Sequence, residues 1–340
     1  MRSIQIVGGG LAGLSLGIAL RRRQVPVTLY EAGSFPRHKV CGEFIAGIRM
    51  VTLSHLGIAE HFQDACRNES IVWYIGDRKW HQDTLGSPAL GISRYTLDLR
   101  LAQSFQELGG CLQTGVRIQS LDREEGVIWA NGRRVAPTQW IGLKVHASNF
   151  YLDGDLEMHL GEYGYAGATA IEGGRVNVCG LFQRRTEVRA DKEAVLIAYL
   201  EACSMKGLMR KLSRAEIVAQ SASAVTAIDF KAVHLSRKRL SLGDQFAVIP
   251  PFTGNGMSMA FEAAVLALDP LTIFAKGGQD WRTTVNTING AIKKQFALRL
   301  KIARCLHPCF YHPLLQFVMP TLKRARIFPF QKLMGVLHKS

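Results

Sequence analysis

The sequence predicts an α/β (α+β) protein: a β-α-β domain at the amino terminus, an inserted domain with a mixed or antiparallel sheet, and a C-terminal helical segment. Three observations support this class. Apolar runs at 3–7 and 25–31 flank an apolar helical stretch at 11–22, which is the order of a β-α-β unit. Short stretches of alternating polarity at 140–182 predict three or four antiparallel strands. The chain after 282 is helical in pattern but broken by prolines.

The remaining elements follow from periodicity and turn residues. The stretch 94–108 is amphipathic and ends at a Gly-Gly pair, which predicts a helix with a defined end. A further strand precedes a loop rich in glycine and proline, and a helix follows that loop. The predicted elements of this part of the chain are strands at 116–121, 126–130 and 240–242, and helices at 187–215 and from 257 to 268.

The composition limits the class of protein. Of 340 residues, 47% are hydrophobic and 20% are charged, which suits one large domain or two intertwined ones and excludes a disordered or repeat protein. The seven cysteines are scattered and form no Cys-x-x-Cys pair, as expected in a reducing compartment. Arginines follow the first apolar stretch, the reverse of the order in a signal peptide. We therefore expect a cytoplasmic protein.

The turn after the first strand carries a glycine motif. Gly8, Gly10 and Gly13 form Gly-x-Gly-x-x-Gly between the strand and the helix. The first glycine allows the tight turn, the second lets the backbone approach a pyrophosphate, and the third lets the helix pack on the strand. Glu31 ends the second strand, where a carboxylate accepts hydrogen bonds from ribose hydroxyls. These features predict a Rossmann-like dinucleotide site with its phosphates at the helix N-terminus.

A second glycine-rich block indicates which dinucleotide is bound. In GDQFAVIPPFTGNGM at 243–257, Asp244 follows a strand and the glycines lead into a helix. The block resembles the GD…PxxGxGM segment of the superfamily of FAD-dependent monooxygenases and geranylgeranyl reductases, which have the p-hydroxybenzoate hydroxylase fold. The resemblance implies that Asp244 holds the ribityl or pyrophosphate part of FAD. It also implies that the helix N-terminus faces the pyrimidine edge of the flavin, where negative charge develops on reduction.

Three further segments extend this resemblance over about residues 1–265. RHKVCGEF at 37–44 resembles the segment beside the isoalloxazine, Arg94-x-x-Leu-Asp resembles a superfamily helix start, and 163–182 resembles the strand pair over the flavin. Catalytic residues stay unassigned because the flavin carries the chemistry. The implied flavin-adjacent residues are Cys41, Glu43, Pro251 and Tyr165. The implied cofactor-binding residues are Gly8, Gly10, Leu11, Ala12, Gly13, Glu31, Ala32, Arg37, Lys39, Cys41, Gly42, Arg94, Val116, Asp244, Pro251, Gly254, Asn255, Gly256 and Met257.

The elements and the resemblance together predict that the FAD-binding domain is discontinuous in sequence. We expect the other domain to hold the substrate and the C-terminal segment to be helical and basic. The predicted limits are 1–70, 94–140 and 235–290 for the FAD-binding domain, 71–93 and 141–234 for the substrate domain, and 291–340 for the C-terminal segment.

The positive charge is concentrated near the carboxyl terminus. Eleven Lys or Arg and no Asp or Glu lie between 282 and 340, out of a formal net charge of +15. An apolar run with basic flanks fits a peripheral membrane contact through 291–340, and the alternative is a helical pair packed on the core of the protein. Nucleic-acid binding is not expected because no helix-turn-helix, RRM or zinc-finger pattern occurs.

The same segment contains four side chains of the types that bind metals. They are Cys305, His307, Cys309 and His312. Prolines interrupt the run, and no second pair lies at the spacing of a zinc site. We therefore predict no metal.

Two departures from the superfamily pattern concern the electron donor. NGRR at 131–134 stands where relatives carry G-A-D-G-x-x-S, and the chain then reaches the next strand after a shorter connection. Gln245 and Phe246 stand where relatives carry small residues. In relatives the first of these loops helps to place the pyrophosphate and the nicotinamide donor. These departures make the donor site the least conventional part of the predicted enzyme.

The sequence predicts a flavin-dependent oxidoreductase with FAD as cofactor and NAD(P)H as electron donor. The favoured reaction is monooxygenation, as in secondary metabolism, of a lipophilic aromatic or polyketide-like molecule. The first alternative is reduction of isoprenoid C=C bonds of the geranylgeranyl-reductase type, which the KxCGE-like segment favours. The second is a flavin-binding accessory protein with little NAD(P)H turnover, which the departure at 131–134 favours.

Overall fold

The computed structural model describes residues 1–317. In this part of the chain a parallel sheet and a larger mixed sheet lie side by side, with helices packed against both. The strands are β1 (Ile4–Val7), β2 (Val27–Glu31), β3 (Phe44–Ile45), β4 (Cys66–Ile75), β5 (Arg78–Gly91), β6 (Cys111–Thr114), β7 (Val127–Trp129), β8 (Trp140–Ser148), β9 (Leu156–Gly161), β10 (Gly164–Ile171), β11 (Arg175–Gln183), β12 (Glu216–Ile217), β13 (Ser223–Thr226) and β14 (Leu240–Ser241). The helices are α1 (Leu11–Arg22), α2 (Met50–Leu56), α3 (Arg94–Glu107), α4 (Val195–Ala202), α5 (Lys206–Arg214), α6 (Gly256–Ala275), α7 (Trp281–Leu306) and α8 (Pro308–Tyr311).

The parallel sheet has the strand order β14-β7-β1-β2-β6. Helix α1 packs between this sheet and helices α3 and α6, so every residue from Leu11 to Leu20 is buried. Such a helix needs apolar or small residues on all faces, because each face meets protein. Gly17 allows the close approach of helix α3, since a Cβ there would lie 2.9 Å from the Phe105 ring. The predicted β-α-β unit is thus confirmed.

The larger sheet has the order β12-β8-β11-β10-β9-β4-β5-β3, and β13 also pairs with β8. All its pairings are antiparallel except that of β4 with β9. The four strands expected between 140 and 182 are β8 to β11. The β4–β5 hairpin begins at Cys66 and was not predicted as strands, because its alternation is broken by charged and glycine residues. Whether the domains divide at the expected residues stays a prediction.

Three predicted elements have different limits in the structure. The strand expected at 116–121 is wrong: β6 ends at Thr114, and the chain turns at Gly115, whose φ is +73°. The helix expected at 187–215 is two helices, separated where Ser204 has a φ of +62°. Helix α6 continues past 268 to Ala275 and includes Pro270. The first two differences occur where Gly115 and Ser204 have positive φ angles. The third occurs because buried residues continue along α6 to Ala275.

Helices α6 and α7 pack on the parallel-sheet side of the molecule, whereas α8 contacts β9 and β10 of the larger sheet. Helix α6 is long and apolar enough to cross a membrane, but 72% of its most apolar window is buried inside the protein, as in a core helix. Helix α7 packs along α6 through Val285, Ile288, Ile292 and Phe296, all buried. The described part of the segment 291–340 therefore lies on the core of the protein. The basic cluster at 323–326 falls outside the described residues.

Candidate functional site

The first group of site residues lies at the carboxyl ends of parallel strands. Gly8 follows β1, Glu31 ends β2, Ala130 follows β7 and Gly243 follows β14. Because neighbouring parallel strands end at one edge of a sheet, these residues come together although they are far apart in sequence. In open α/β sheets this edge is where ligands bind.

The glycine turn is formed by close backbone contacts. Gly8 has a φ of +119°, and a Cβ there would lie 2.3 Å from the Ala130 carbonyl oxygen. A Cβ on Gly13 would lie 2.1 Å from the Gly8 carbonyl oxygen. Gly10 is different, because a Cβ there would meet its nearest atom, the Ala130 oxygen, only at 4.0 Å. The turn therefore leaves open space beside Gly10, at the N-terminus of α1, where Leu11 and Ala12 begin the helix.

Glu31 is buried beside this turn. Its Oε2 accepts a hydrogen bond of 2.8 Å from the Gly9 amide, and its Oε1 accepts from the Gly33 amide at 2.9 Å and from Arg37 at 2.7 Å. Burial alone would raise the pKa of Glu31, but the hydrogen bond from Gly33, the cations Lys39 and Arg37 and the hydrogen bond from Gly9 lower it. Glu31 is therefore an anion at neutral pH, held against the glycine turn.

The segment 37–44 is fixed to helix α3 by charge. Asp98 is completely buried and binds Lys39 at 2.7 Å and Arg94 at 2.7 Å. Burial would raise the pKa of Asp98, but the two cations lower it. Arg94 and Asp98 face each other because they are four residues apart on one helix. This network places Gly42 at the surface of the cleft, where a Cβ would have no atom within 4 Å.

The second glycine-rich block forms the opposite wall. Asp244 lies in a 3-10 turn at Gly243–Gln245, where its side chain is exposed and lines a cleft. Desolvation by the surrounding protein raises the pKa of Asp244, while Arg94 and Arg133 oppose the shift. Asn255 precedes α6 and is buried, and its Oδ1 has no hydrogen-bond partner among residues 1–317.

A group of buried charges lies behind the cleft, on the larger sheet. Glu43, Lys144 and His146, which we call the charged cluster, each have fully buried side chains. The Glu43 carboxylate lies 2.6 Å from His146 Nε2 and 3.2 Å from Lys144 Nζ, and it accepts a hydrogen bond of 2.9 Å from the Arg94 amide. Burial would raise the pKa of Glu43, but His146 and Lys144 lower it. Glu43 also has a φ of +53°, unusual for a residue other than glycine.

Two cysteines lie next to the charged cluster. The Asn177 side chain donates a 3.0 Å hydrogen bond to the Cys41 carbonyl oxygen, which joins the segment 37–44 to β11. Cys179 lies two residues further along β11 and pairs in register with Lys144. Burial raises the pKa of both thiols. They are therefore neutral at physiological pH, because burial outweighs the nearby cations Arg94 and Lys144, which favour the thiolate.

Aromatic side chains from distant parts of the chain surround His307. The Tyr165 hydroxyl lies 3.3 Å from its Nε2, and burial lowers the pKa of His307 to about 4. Phe252, next to Pro251, stacks on Phe310 at 3.8 Å. The aromatic cluster consists of Trp140, Tyr165, Phe230, Phe252, His307, Phe310 and Tyr311.

The four possible metal ligands of the C-terminal segment do not come together. Cys305 is exposed, whereas His307 is buried in the aromatic cluster. Across residues 1–317 no three His, Cys, Asp or Glu side chains are arranged to hold a metal ion.

Comparison with known proteins agrees with this geometry. A model of the NAD(P)-binding Rossmann-like domain matches residues 6–38, and no protein with a curated description matches the chain. Among solved structures, Pseudomonas aeruginosa PqsL in complex with 2-aminobenzoylacetate is similar at a TM-score of 0.72 and 14% identity, over 91% of this chain and 96% of PqsL. A Klebsiella pneumoniae HpxO variant complexed with FAD gives 0.74 and 14%, over 99% and 97%.

The flavin-dependent brominase Bmp2 gives a TM-score of 0.71 at 16% identity, over 98% of this chain and 93% of Bmp2. The chain has the p-hydroxybenzoate hydroxylase-type fold. Within this hydroxylase fold the two glycine-rich blocks predicted from sequence lie on one cleft, although they are far apart in the chain. The predicted cofactor-binding residue Val116 lies next to Glu31, because its amide donates to the Glu31 carbonyl oxygen at 3.0 Å.

Sequence reasoning missed several polar residues of the hydroxylase-fold cleft. Lys144 and His146 point to one face of β8 because they are two residues apart. Asn177 lies on the neighbouring strand β11, where it pairs with His146. The signal that could have identified them is a charged residue, Lys144, within an otherwise apolar strand. The sequence identifies His307 only as a residue of a type that binds metals, since no local pattern indicates which aromatic residues will surround it.

Proposed function

We propose that this chain is an FAD-dependent monooxygenase that uses NAD(P)H as electron donor and hydroxylates a lipophilic aromatic small molecule. The observation that carries the proposal is the meeting of two separate glycine turns on one cleft. Gly8 and Gly13 form one turn and Asp244 lies on the other. PqsL, of the same fold, is described as "a probable FAD-dependent monooxygenase", and an HpxO variant was obtained with FAD.

The residues present fit the ADP half of FAD. Space beside Gly10 at the N-terminus of α1 suits a pyrophosphate, because backbone amides and the helix dipole favour an anion there. Glu31 is an anion that would accept hydrogen bonds from ribose hydroxyls. Arg37 binds Glu31 at 2.7 Å and would share that edge. These residues bind the cofactor without taking part in the reaction.

The flavin end would lie between Gly42, Asp244 and the N-terminus of α6. The unpartnered Oδ1 of Asn255 and the open carboxylate of Asp244 are acceptors suited to donor groups of a bound flavin. When bound, FAD supplies reducing equivalents and the activation of O₂. The chain supplies the rest: Lys39, Arg94 and Asp98 hold the segment 37–44 in place, and α6 presents its positive dipole end.

The aromatic cluster would form the substrate side of the cleft. Flat rings such as Phe252 and Trp140 bind and orient an aromatic molecule through stacking and edge contacts. His307, whose pKa is about 4, stays neutral at physiological pH, so the cluster excludes water without holding a charge. A lipophilic aromatic substrate suits these surroundings better than a polar one.

Reduction of isoprenoid C=C bonds is the second candidate function. The contact of Asn177 with the Cys41 backbone favours it, because this contact joins the two segments whose sequences resemble geranylgeranyl reductases. The two functions differ in their need for O₂. A monooxygenase consumes O₂ with its substrate, whereas the reductase works without it.

The proposal is tested on the purified full-length chain. We expect one FAD per chain, oxidation of NADH or NADPH that a lipophilic phenol stimulates, and a hydroxylated product that depends on O₂. Product formation from a prenyl compound under anaerobic conditions would support the reductase instead. Bound FAD with no response to either nicotinamide donor would support an accessory protein.

We further propose that the protein is cytoplasmic and that any membrane contact is peripheral, through 291–340. The support is the excess of basic residues near the carboxyl terminus. Flotation of the full-length chain with anionic and with neutral vesicles tests this contact. Binding to neither, or equally to both, would argue against it.

A further inference from the structure

Helix α8 places one ring of the chain itself in the middle of the aromatic cluster. The Phe310 side chain is only 1% exposed. Its ring stacks on that of Phe252, with 3.8 Å between the ring centres and an angle of 18° between the ring planes. Tyr165 and Trp73 are further aromatic neighbours, with ring centres 6.2 and 5.8 Å from that of Phe310. Phe310 therefore fills a space with the size and the surroundings that suit one aromatic ring.

Phe252 connects this space to the proposed flavin end of the cleft. It lies in the turn Pro251–Thr253, which directly precedes Gly254 of the second glycine-rich block. Tyr165 belongs to β10 of the larger sheet. The Phe310 ring thus lies between the turn on the flavin side and the larger sheet. Rings stacked at 3.8 Å are in van der Waals contact, so an aromatic molecule that stacks on this face of Phe252 has to displace Phe310.

The segment that carries Phe310 is short and has a proline at each end. Helix α8 is a single turn that begins at Pro308, and Pro313 follows it. A single helical turn is not stable by itself, because its few hydrogen bonds do not offset the loss of backbone freedom. The position of α8 therefore depends on its contacts with the rest of the protein.

Hydrogen bonds to the β9–β10 hairpin hold α8 against the larger sheet. The Tyr163 amide donates to the Tyr311 carbonyl oxygen at 2.8 Å. The buried Gln316 side chain donates to the carbonyl oxygens of Gly161 and Phe310, each at 2.9 Å. We call these three hydrogen bonds the latch. Uncharged hydrogen bonds of this kind contribute modestly to stability, so release of α8 does not require the sheet to unfold.

We propose that Phe310 occupies the place of the substrate ring, and that the substrate stacks on Phe252 after α8 has moved out of the cleft. Phe310 thereby determines specificity, because only a ring that stacks on Phe252 at least as well as its own replaces it. The inference rests on the proposed function for the class of substrate. The stacking and the latch are contacts of this chain and do not depend on that function.

The first measurement is the affinity of the FAD-saturated full-length chain for phenol and for 2-naphthol, titrated by calorimetry. Wild type should bind 2-naphthol more tightly, because two fused rings offer more area for stacking. Phe310→Ala should bind phenol about tenfold or more tightly than wild type, because no ring has to be displaced before the ligand binds. Phe296→Ala is the matched control, since Phe296 of α7 is also 1% exposed but lies outside the aromatic cluster.

The second measurement is amide hydrogen exchange, which detects the movement of α8 without changing a ring. In wild type, saturation with 2-naphthol should speed exchange of the Tyr163 amide about tenfold or more, because release of α8 removes its acceptor on Tyr311. The amides of β11 serve as the control and should not change. Gln316→Leu weakens the latch outside the ring contacts. It should speed this exchange without any ligand and tighten phenol binding about fivefold, as loss of one hydrogen bond predicts.

The outcomes separate this proposal from the proposed function. Slower exchange of the Tyr163 amide on saturation with 2-naphthol would overturn it, because Phe310 would then be a fixed wall. An equal gain in phenol affinity for Phe296→Ala, or no binding of either compound by wild type and Phe310→Ala, would also overturn it. If Phe310→Ala does not fold, the exchange of wild type and Gln316→Leu decides. The expected binding and exchange without any oxidation of NADH or NADPH would contradict the proposed function and leave the role of Phe310 standing.

Discussion

The glycine turn lies on the cleft and the charged cluster lies behind it, and the two are built in different ways. The turn around Gly8 and Gly13 consists of backbone contacts, of Gly13 with Gly8 and of Gly8 with Ala130 at the end of the neighbouring strand. The charged cluster joins Glu43 to His146, 103 positions away, through side chains. Gly8 and Gly13 tolerate no added atom and carry no side-chain charge, whereas the cluster depends on matched charges. Substitutions should therefore damage the two regions by different physical routes.

The largest effect on cofactor binding is expected for Gly8→Val. The new side chain would overlap the Ala130 carbonyl and would require a φ of +119°, which valine does not adopt. We expect loss of detectable FAD binding and a decrease of roughly 3 kcal/mol in the free energy of unfolding. Gly290→Ala is the control, since Gly290 lies in helix α7 with no atom within 4 Å of a Cβ. It should be neutral or stabilising by up to about 1 kcal/mol. Urea unfolding and FAD titration measure both.

A comparable loss of stability, with a different cause, is expected for Lys144→Met. Removing one partner of a buried ion pair costs about 3–5 kcal/mol because the other charge stays buried. Adding Glu43→Gln to this variant should recover part of the loss. The exposed pair Arg22–Glu60, 3.3 Å apart, is the control, and Arg22→Gln should change stability by less than about 1 kcal/mol. Equal losses of stability for Lys144→Met and Arg22→Gln in urea unfolding would refute the difference between a buried and an exposed ion pair.

His307 should make stability depend on pH. Its pKa is about 4 in the folded protein against an ordinary value of 6.5, so the unfolded chain binds the proton more readily. Stability should be unaffected by this group above pH 6.5 and should fall as the pH decreases toward 4, by about 3 kcal/mol.

His307→Phe should remove that part of the pH dependence, as measured by urea unfolding at neutral and acidic pH. His55→Gln, at an exposed position, serves as the control and should leave the profile unchanged. An identical profile for wild type and His307→Phe would show that the aromatic cluster does not hold a neutral histidine.

The smallest effect is expected for Glu31→Gln, which keeps the shape of the side chain and removes its charge. FAD affinity should fall about tenfold, which is about 1.4 kcal/mol, because a neutral amide accepts ribose hydrogen bonds more weakly than a carboxylate. Stability should also fall, by about 1 kcal/mol, since glutamine has one acceptor oxygen and leaves either the Gly9 or the Gly33 amide without its partner. Glu60→Gln is the control. An unchanged FAD dissociation constant would remove Glu31 from the proposed site.

Local patterns predicted the parts of the site that are local. Gly8, Gly10, Gly13 and Glu31 lie within one β-α-β unit, whose spacing is set by strand and helix geometry. The strand expected at 116–121 failed because a left-handed turn at Gly115 ended the pairing early. The positions of Lys144 and Asn177 could not be predicted, since their partners come from strands and loops about a hundred or more residues away.

The sequence by itself determined the α/β class, the two glycine turns and the order of the strands in the first unit. These depend on periodicity and on residues that alone permit certain backbone angles. Only the tertiary structure decided that Gln245 meets the loop 131–134, that Glu43 is buried between Lys144 and His146, and that His307 enters an aromatic cluster. These contacts depend on which sheet edges and helices pack together, and no short-range pattern encodes that packing.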